Sequence, residues 1–159
     1  MFIKPDYIFE NIYAIDLDTL KNCGIKNLLF DLDSTLMASR TGFYAPETKA
    51  WLERVKKDFF VAVISNNYNK SYIEKVQACT DFPSVFEAHK PDTKVTKAFM
   101  SEHNLVPKET AFVGDRPLTD ILCGKHLGCM TILVDSITAK TENTPTRFVR
   151  WLERLSIKR

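Results

Sequence analysis

The chain has 159 residues, of which 45% are hydrophobic and 26% charged, enough to bury roughly 70% of its unfolded surface around one core. Its net charge of +2 is too weak to argue for nucleic acid, and none is expected as a partner. No apolar run approaches the ~18 residues of a membrane span, and the four cysteines, Cys23, Cys79, Cys123 and Cys129, form no CxxC pair of a zinc site.

Residues 1–25 read as a lead-in. They carry acidic residues and no long apolar core, unlike a secretory leader, so a reducing, cytoplasmic compartment is the expectation. Pro5 and Asp6 predict a short helical turn with Ile8, Ile12 and Ile15 at i, i+4 and i+7. Asp16 predicts the cap of a second short helix, Leu17 to Cys23, which Gly24 ends. These apolar residues are expected to pack on a sheet, with a membrane-touching role for Phe2, Tyr7 and Phe9 as the alternative.

The stretch Asn27 to Leu36, NLLFDLDSTL, organises the rest. Leu28, Leu29 and Phe30 run without polar alternation, the mark of a strand covered on both faces. The run stops at Asp31, Asp33, Ser34 and Thr35. Two carboxylates two positions apart at the end of a buried strand repel each other and are costly to desolvate, and a divalent cation offsets both penalties. The expectation is a metal site with a reactive carboxylate, against the plainer reading of a turn capped by Asp and Ser.

Beyond it, strands and helices alternate. Pro46 to Lys57 predicts a helix with Pro46 in its first turn and Trp51, Leu52 and Val55 inward. Phe59 to Ile64 predicts a second buried strand, ending in Ser65, Asn66 and Asn67. Lys70 to Cys79 reads as a helix with Ile73 and Val76 inward. A short strand at 85–88 runs into His89, Lys90 and Pro91, and Thr93 to Glu102 reads as a helix. Ala111 to Val113 is a fourth strand ending in Gly114 and Asp115, then a helix from Leu118 to Leu127 closed by Gly128, then a fifth strand from Met130 to Val134. The tail, Thr144 to Arg159, predicts an amphipathic helix with Phe148, Leu152 and Leu155 on one stripe, Trp151 beside it, and Arg147, Arg150, Arg154 and Lys158 on a basic side. It is expected to dock on the sheet, with contact to anionic lipid as the alternative.

This alternation predicts one α/β domain over residues 1–159: a Rossmann-like three-layer sandwich, with a parallel sheet of about five strands and helices on both faces. In such a sheet the strand ends share one edge, where ligands bind. Asp31 and Asp33, Ser65, Lys90, and Asp115 with Asp120 would then converge there.

The segments DLDST, ISN, HKPD and GDRPLTD resemble the four motifs of the haloacid dehalogenase (HAD) superfamily of aspartate-dependent phosphatases. Over nearly the whole chain, KNCGIKNLLFDLDSTL, VISNN, HKPD and VGDRPLTDILCGKHLGCMTILV resemble the bacterial YqeG family, related to mitochondrial phosphatidylglycerophosphate phosphatases. The resemblance implies Asp31 as nucleophile and Asp33 as acid and base. It implies Ser65 and Lys90 on the phosphoryl group, with backbone N–H groups near Ser34 and Asn66 assisting. It implies Mg²⁺ held by Asp31, the backbone carbonyl of Asp33 and Asp115, with Asp120 either supporting the metal through water or pairing with Lys90. It further implies a phosphate-monoester substrate, which for this subfamily is a phospholipid head group, and a peripheral membrane contact. A small sugar or nucleotide ester, a macromolecular phosphate, or a phospho-accepting signalling module are the alternatives. Only short segments separate the motifs, so no large cap domain and an open site are expected.

Overall fold

The computed structural model describes residues 3–137, 144–155 and 157. Six strands are present: β1 (Tyr7–Phe9), β2 (Asn27–Phe30), β3 (Phe60–Ile64), β4 (Ser84–Val85), β5 (Thr110–Gly114) and β6 (Met130–Val134). They form one sheet, every pair parallel, in the order β1-β6-β5-β2-β3-β4. Between them run α1 (Leu17–Asn22), α2 (Pro46–Val55), α3 (Lys70–Ala78), α4 (Lys94–Glu102) and α5 (Leu122–Leu127), and α6 (Thr144–Leu155) follows.

The unbroken apolar strands are explained by layers on both faces. On β2, Leu28 and Phe30 join Leu20 of α1, Trp51, Leu52 and Val55 of α2 and Val76 of α3 in one core. Leu29 points the other way, into a second core with Phe99 and Met100 of α4 and Cys123 of α5. This period-two division repeats on β3, where Val61 and Val63 take one side and Ala62 and Ile64 the other. The three-layer α/β sandwich read from the sequence is therefore the fold observed.

The lead-in departs from the helical turn expected at Pro5. Residues Tyr7–Phe9 form an edge strand, so the sheet has six strands. The cause is Asp6, whose carboxylate accepts from the Thr131 N–H (2.7 Å) and hydroxyl (2.9 Å), while its own N–H donates to the Thr131 carbonyl (3.0 Å). That clamp spans 125 residues and no local pattern reports it. Tyr7 and Phe9 stack on each other and pack, partly buried, against the core, and Phe2 lies outside the described residues. The second short helix forms as expected, with Asp16 accepting from the Thr19 N–H.

Two further corrections concern the last third. The helix expected from Leu118 opens instead with a π-helical turn, Pro117–Ile121, before α5. The tail helix stops at Leu155, and Ile157 pairs with Ile3. More importantly, α6 does not dock through its apolar stripe. Phe148, Leu152 and Leu155 are 56%, 46% and 57% exposed, and Trp151 is 55% exposed. The helix is held through its polar side. Glu153, buried, accepts from Arg116 at 3.2 and 2.7 Å, and Arg154 pairs with Asp135 at 2.6 Å. The side chains of Arg147, Arg150 and Lys158 lie outside the described residues.

Candidate active site

The sheet order sets β2 between β5 and β3, so the residues that follow these three strands meet at the centre of the carboxyl edge. The Asp31 N–H continues the ladder by donating to the Val113 carbonyl (2.9 Å), and the Ser65 N–H does the same toward Val85 (2.8 Å). Asp31, Ser65, Lys90, Asp115 and Asp120 are thereby brought to one place.

Lys90 is the hub. Its side chain is 1% exposed, and its ammonium donates to Asp31 Oδ1 (2.7 Å), Asp120 Oδ1 (2.8 Å) and the Ile64 carbonyl (2.7 Å). An ammonium has three hydrogens, and all three are used. Burial pulls the Lys90 pKa down, but Asp120 and Asp31 outweigh it and hold the group above the usual lysine range. Asn66 fixes the Lys90 backbone from both sides: its amide donates to the Lys90 carbonyl (3.0 Å) and its oxygen accepts from the Lys90 N–H (2.7 Å).

Asp120 pairs with Lys90 through one oxygen (2.8 Å), and its second oxygen accepts from the Arg116 N–H (3.1 Å). The π-helical turn brings it beneath β5, and Gly114 makes room, because a Cβ there would collide with the Asp120 carboxylate. Burial and the neighbouring Asp31 charge push Asp120 up to about 6, against the lowering by Lys90.

Thr35, an unassigned member of DLDST, bridges the remaining acids. Its hydroxyl lies 3.4 Å from Asp31 Oδ2 and 3.2 Å from Asp115 Oδ1. Asp31, Asp115 and Asp120 each bring a carboxylate oxygen within 4.8 Å of the others. Three carboxylates against one ammonium leave a buried charge of about −2, which a divalent cation with oxygen ligands neutralises. The donor set fits a hard dication.

Asp33 faces elsewhere. Its Oδ1 accepts from the Tyr72 hydroxyl on α3 and from the Arg40 N–H (3.2 Å). Tyr72 is held well above the usual phenol range, by burial first and then by Asp33, so it stays a proton donor to that carboxylate. Arg40, Asn67, Tyr68, Asn69 and Tyr72 line an open cleft of about 420 Å³ on this side. Ser34 follows Asp33 on the same loop. It lies in the left-handed region at φ 69°, and its N–H donates to the Met37 carbonyl (2.7 Å). Ser65 is buried, and its hydroxyl accepts from the Asn67 N–H (3.1 Å).

Tyr72, Arg116 and Arg40 were not singled out from the sequence. Tyr72 lies four residues before the buried Val76, and that spacing was its available signal. Arg116 adjoins Asp115 but finds Glu153 across 37 residues, which no motif encodes. No cap domain interrupts the edge: between Thr35 and Lys90 the described residues hold only α2, β3, α3 and β4.

A family model described as mitochondrial PGP phosphatase matches residues 1–138. The chain is 30% identical over 153 residues to "Probable phosphatase YqeG" of Bacillus subtilis, covering 96% of this chain and 88% of that one. It is 28% identical over 167 residues to the chloroplastic/mitochondrial phosphatidylglycerophosphate phosphatase 1 of Arabidopsis thaliana, and spans about half (48%) of that protein's length. Among solved structures, it shares the fold of a HAD family enzyme from Bacteroides thetaiotaomicron, solved with magnesium and inorganic phosphate (TM-score 0.58, 16% identity, 79% of this chain and 100% of that one). It shares it also with an uncharacterised Listeria monocytogenes protein (TM-score 0.56, 17% identity, 69% and 78%). The chain belongs to the mitochondrial PGP phosphatase family, and is a phosphatase.

Proposed function

We propose that this phosphatase is a Mg²⁺-dependent phosphomonoesterase that works through an aspartyl phosphate on Asp31, that its substrate is phosphatidylglycerophosphate, and that residues 1–159 act as one hydrolase domain. The observation that carries the reading is the division of labour between the two motif carboxylates. Asp31 stands in the buried charge cluster beside Lys90, and Asp33 is hydrogen-bonded to Tyr72 and Arg40, two residues that line the open cleft.

An Asp31 carboxylate oxygen attacks phosphorus, and the bond from phosphorus to the ester oxygen breaks. Asp33, protonated, gives its proton to the departing alkoxide, so the alcohol leaves neutral. Asp33 then takes a proton from water, whose oxygen attacks phosphorus, releasing phosphate and restoring Asp31. Lys90 neutralises charge on the phosphoryl oxygens, and the buried Ser65 hydroxyl hydrogen-bonds one of them. Asp31, the Asp33 backbone carbonyl and Asp115 would hold Mg²⁺, which when bound would add positive charge against the transferring group. Asp120 acts through Lys90. In this reading the leaving alcohol occupies the Arg40–Tyr72 cleft, where Arg40 is available to a second, diester phosphate.

Peripheral action at the membrane from a reducing, cytoplasmic compartment completes the reading. Among the described residues no helix is long and apolar enough to cross a membrane, and the four cysteines are free thiols. The test is turnover of phosphatidylglycerophosphate in detergent micelles with Mg²⁺, compared with sugar and nucleotide phosphates. Efficient release from the lipid supports the reading, and turnover of small esters alone refutes the substrate. Asp31→Asn is expected to reduce phosphate release to background with an unchanged circular dichroism spectrum; retained activity removes Asp31 as nucleophile.

A further inference from the structure

We propose that the outward face of α6 is a docking surface for an anionic lipid bilayer, and that it seats the carboxyl edge of the sheet on the membrane. The choice of lipid as partner rests on the substrate reading above; the existence of the surface does not.

The helix is docked with its polar side inward. Five of its apolar residues, Phe148, Val149, Trp151, Leu152 and Leu155, are 45–57% exposed, and the Phe148 and Trp151 rings stack at 5.9 Å. The contacts that hold it are ionic: Arg116 with Glu153, and Arg154 with Asp135 and the Val134 carbonyl (3.2 Å). Turning the apolar stripe inward would break all of these. A contiguous apolar face of this kind on a protein surface marks an interaction site. Trp, Phe and Leu on one side of a helix, with Arg on the other, is the composition of helices that lie in a membrane interface.

Position ties the surface to the site. Arg116, one anchor of α6, follows Asp115 directly, and Asp135 follows the end of β6 on the same edge. Four more exposed apolar residues stand in segments that leave the carboxyl ends of strands: Phe43 after β2, Tyr68 after β3, Leu118 after β5 and Ile137 after β6.

Charge selects the occupant. Residues 138–159 contain six Lys or Arg and two Glu, a surplus of four positive charges in a chain whose total is +2. An anionic bilayer complements that surplus, and basic residues near such a surface each strengthen binding. A second copy of the chain on the same face would oppose two such surpluses, which like-charge juxtaposition disfavours.

The experiment is co-sedimentation of the full chain with phosphatidylcholine vesicles containing about one-third phosphatidylglycerol, alongside pure phosphatidylcholine vesicles. Trp51 is buried, so a blue shift of tryptophan emission on binding reports Trp151. The expected result is a blue shift and sedimentation on the anionic vesicles, with binding about tenfold weaker on the neutral ones. The double variant Phe148→Ser, Trp151→Ser is expected to bind about tenfold more weakly and to hydrolyse water-soluble p-nitrophenyl phosphate at the native rate. No vesicle binding, binding unchanged in the double variant, or a concentration-dependent dimer dispersed by it would each overturn the proposal. Vesicle binding without lipid hydrolysis would refute the substrate reading and leave the docking surface standing. Lipid hydrolysis in detergent without vesicle binding would do the reverse.

Discussion

Lys90 illustrates what a buried charge requires. Each of its three hydrogens has an acceptor, and two of those acceptors are carboxylates that would otherwise repel one another. Removing the ammonium leaves Asp31 and Asp120 without the side-chain cation they share. Lys90→Met should therefore cost about 3–5 kcal/mol of stability, read as a lowered midpoint in urea denaturation, and should abolish phosphate release. Tyr72 acts at the same scale through Asp33. In Tyr72→Phe, Asp33 keeps the Arg40 N–H but loses its hydroxyl donor. We expect kcat on an alkyl phosphate to fall about tenfold with KM unchanged. Turnover of p-nitrophenyl phosphate, whose leaving group needs little protonation, should be spared. A uniform loss on both substrates would assign Tyr72 to packing alone.

Elements decide where these side chains stand. The turn after β5 has to bring Asp120 back under the strand that carries Asp115, and it does so through a π-helical turn pressed against a glycine. Gly114→Ala should displace Asp120 and with it Lys90. The expected outcome is a lower melting temperature together with loss of activity, whereas native stability and turnover in this variant would show that the close approach is not needed. The same element logic accounts for α6. Its sequence is strongly amphipathic, and amphipathicity alone predicts burial of the apolar stripe. The outcome is reversed because Arg116 and Asp135 stand where the helix meets the body, and each finds its opposite charge on the polar side.

For the whole molecule, burial in the core on the α4–α5 face of the sheet separates the cysteines into two classes. Cys123 and Cys129 are buried, and burial pushes their thiols up to about 11 and about 12, while Cys23 and Cys79 are exposed. The thiolate is the reactive form, so a raised pKa leaves little of it at neutral pH. Iodoacetamide at neutral pH should label Cys23 and Cys79 in the native protein and reach Cys123 and Cys129 only after unfolding, as mass spectrometry would record. Labelling of all four without denaturant would contradict the burial of Cys123 and Cys129 in that core. The open edge is the other property at this scale. With only α2, β3, α3 and β4 between Thr35 and Lys90 among the described residues, water exclusion falls to the substrate or to a surface the protein sits on.

Local chemistry made much of this legible before any fold was in hand. Apolar runs bounded by Asp, Ser, Lys and Gly announce buried parallel strands with polar ends, and their order along the chain suffices to predict that Asp31, Ser65, Lys90 and Asp115 share an edge. What distance in the chain separates, the sequence did not determine. Asp6 reaches Thr131, Arg116 reaches Glu153, Tyr72 reaches Asp33, and Asp120 chooses Lys90. Each is a pairing of polar groups whose partner is fixed by the packing of other elements, so hydrophobic periodicity carries no trace of it. That is why the strands and motifs could be read from composition and spacing, whereas the sixth strand, the Asp120–Lys90 pair and the outward face of α6 were decided by tertiary structure.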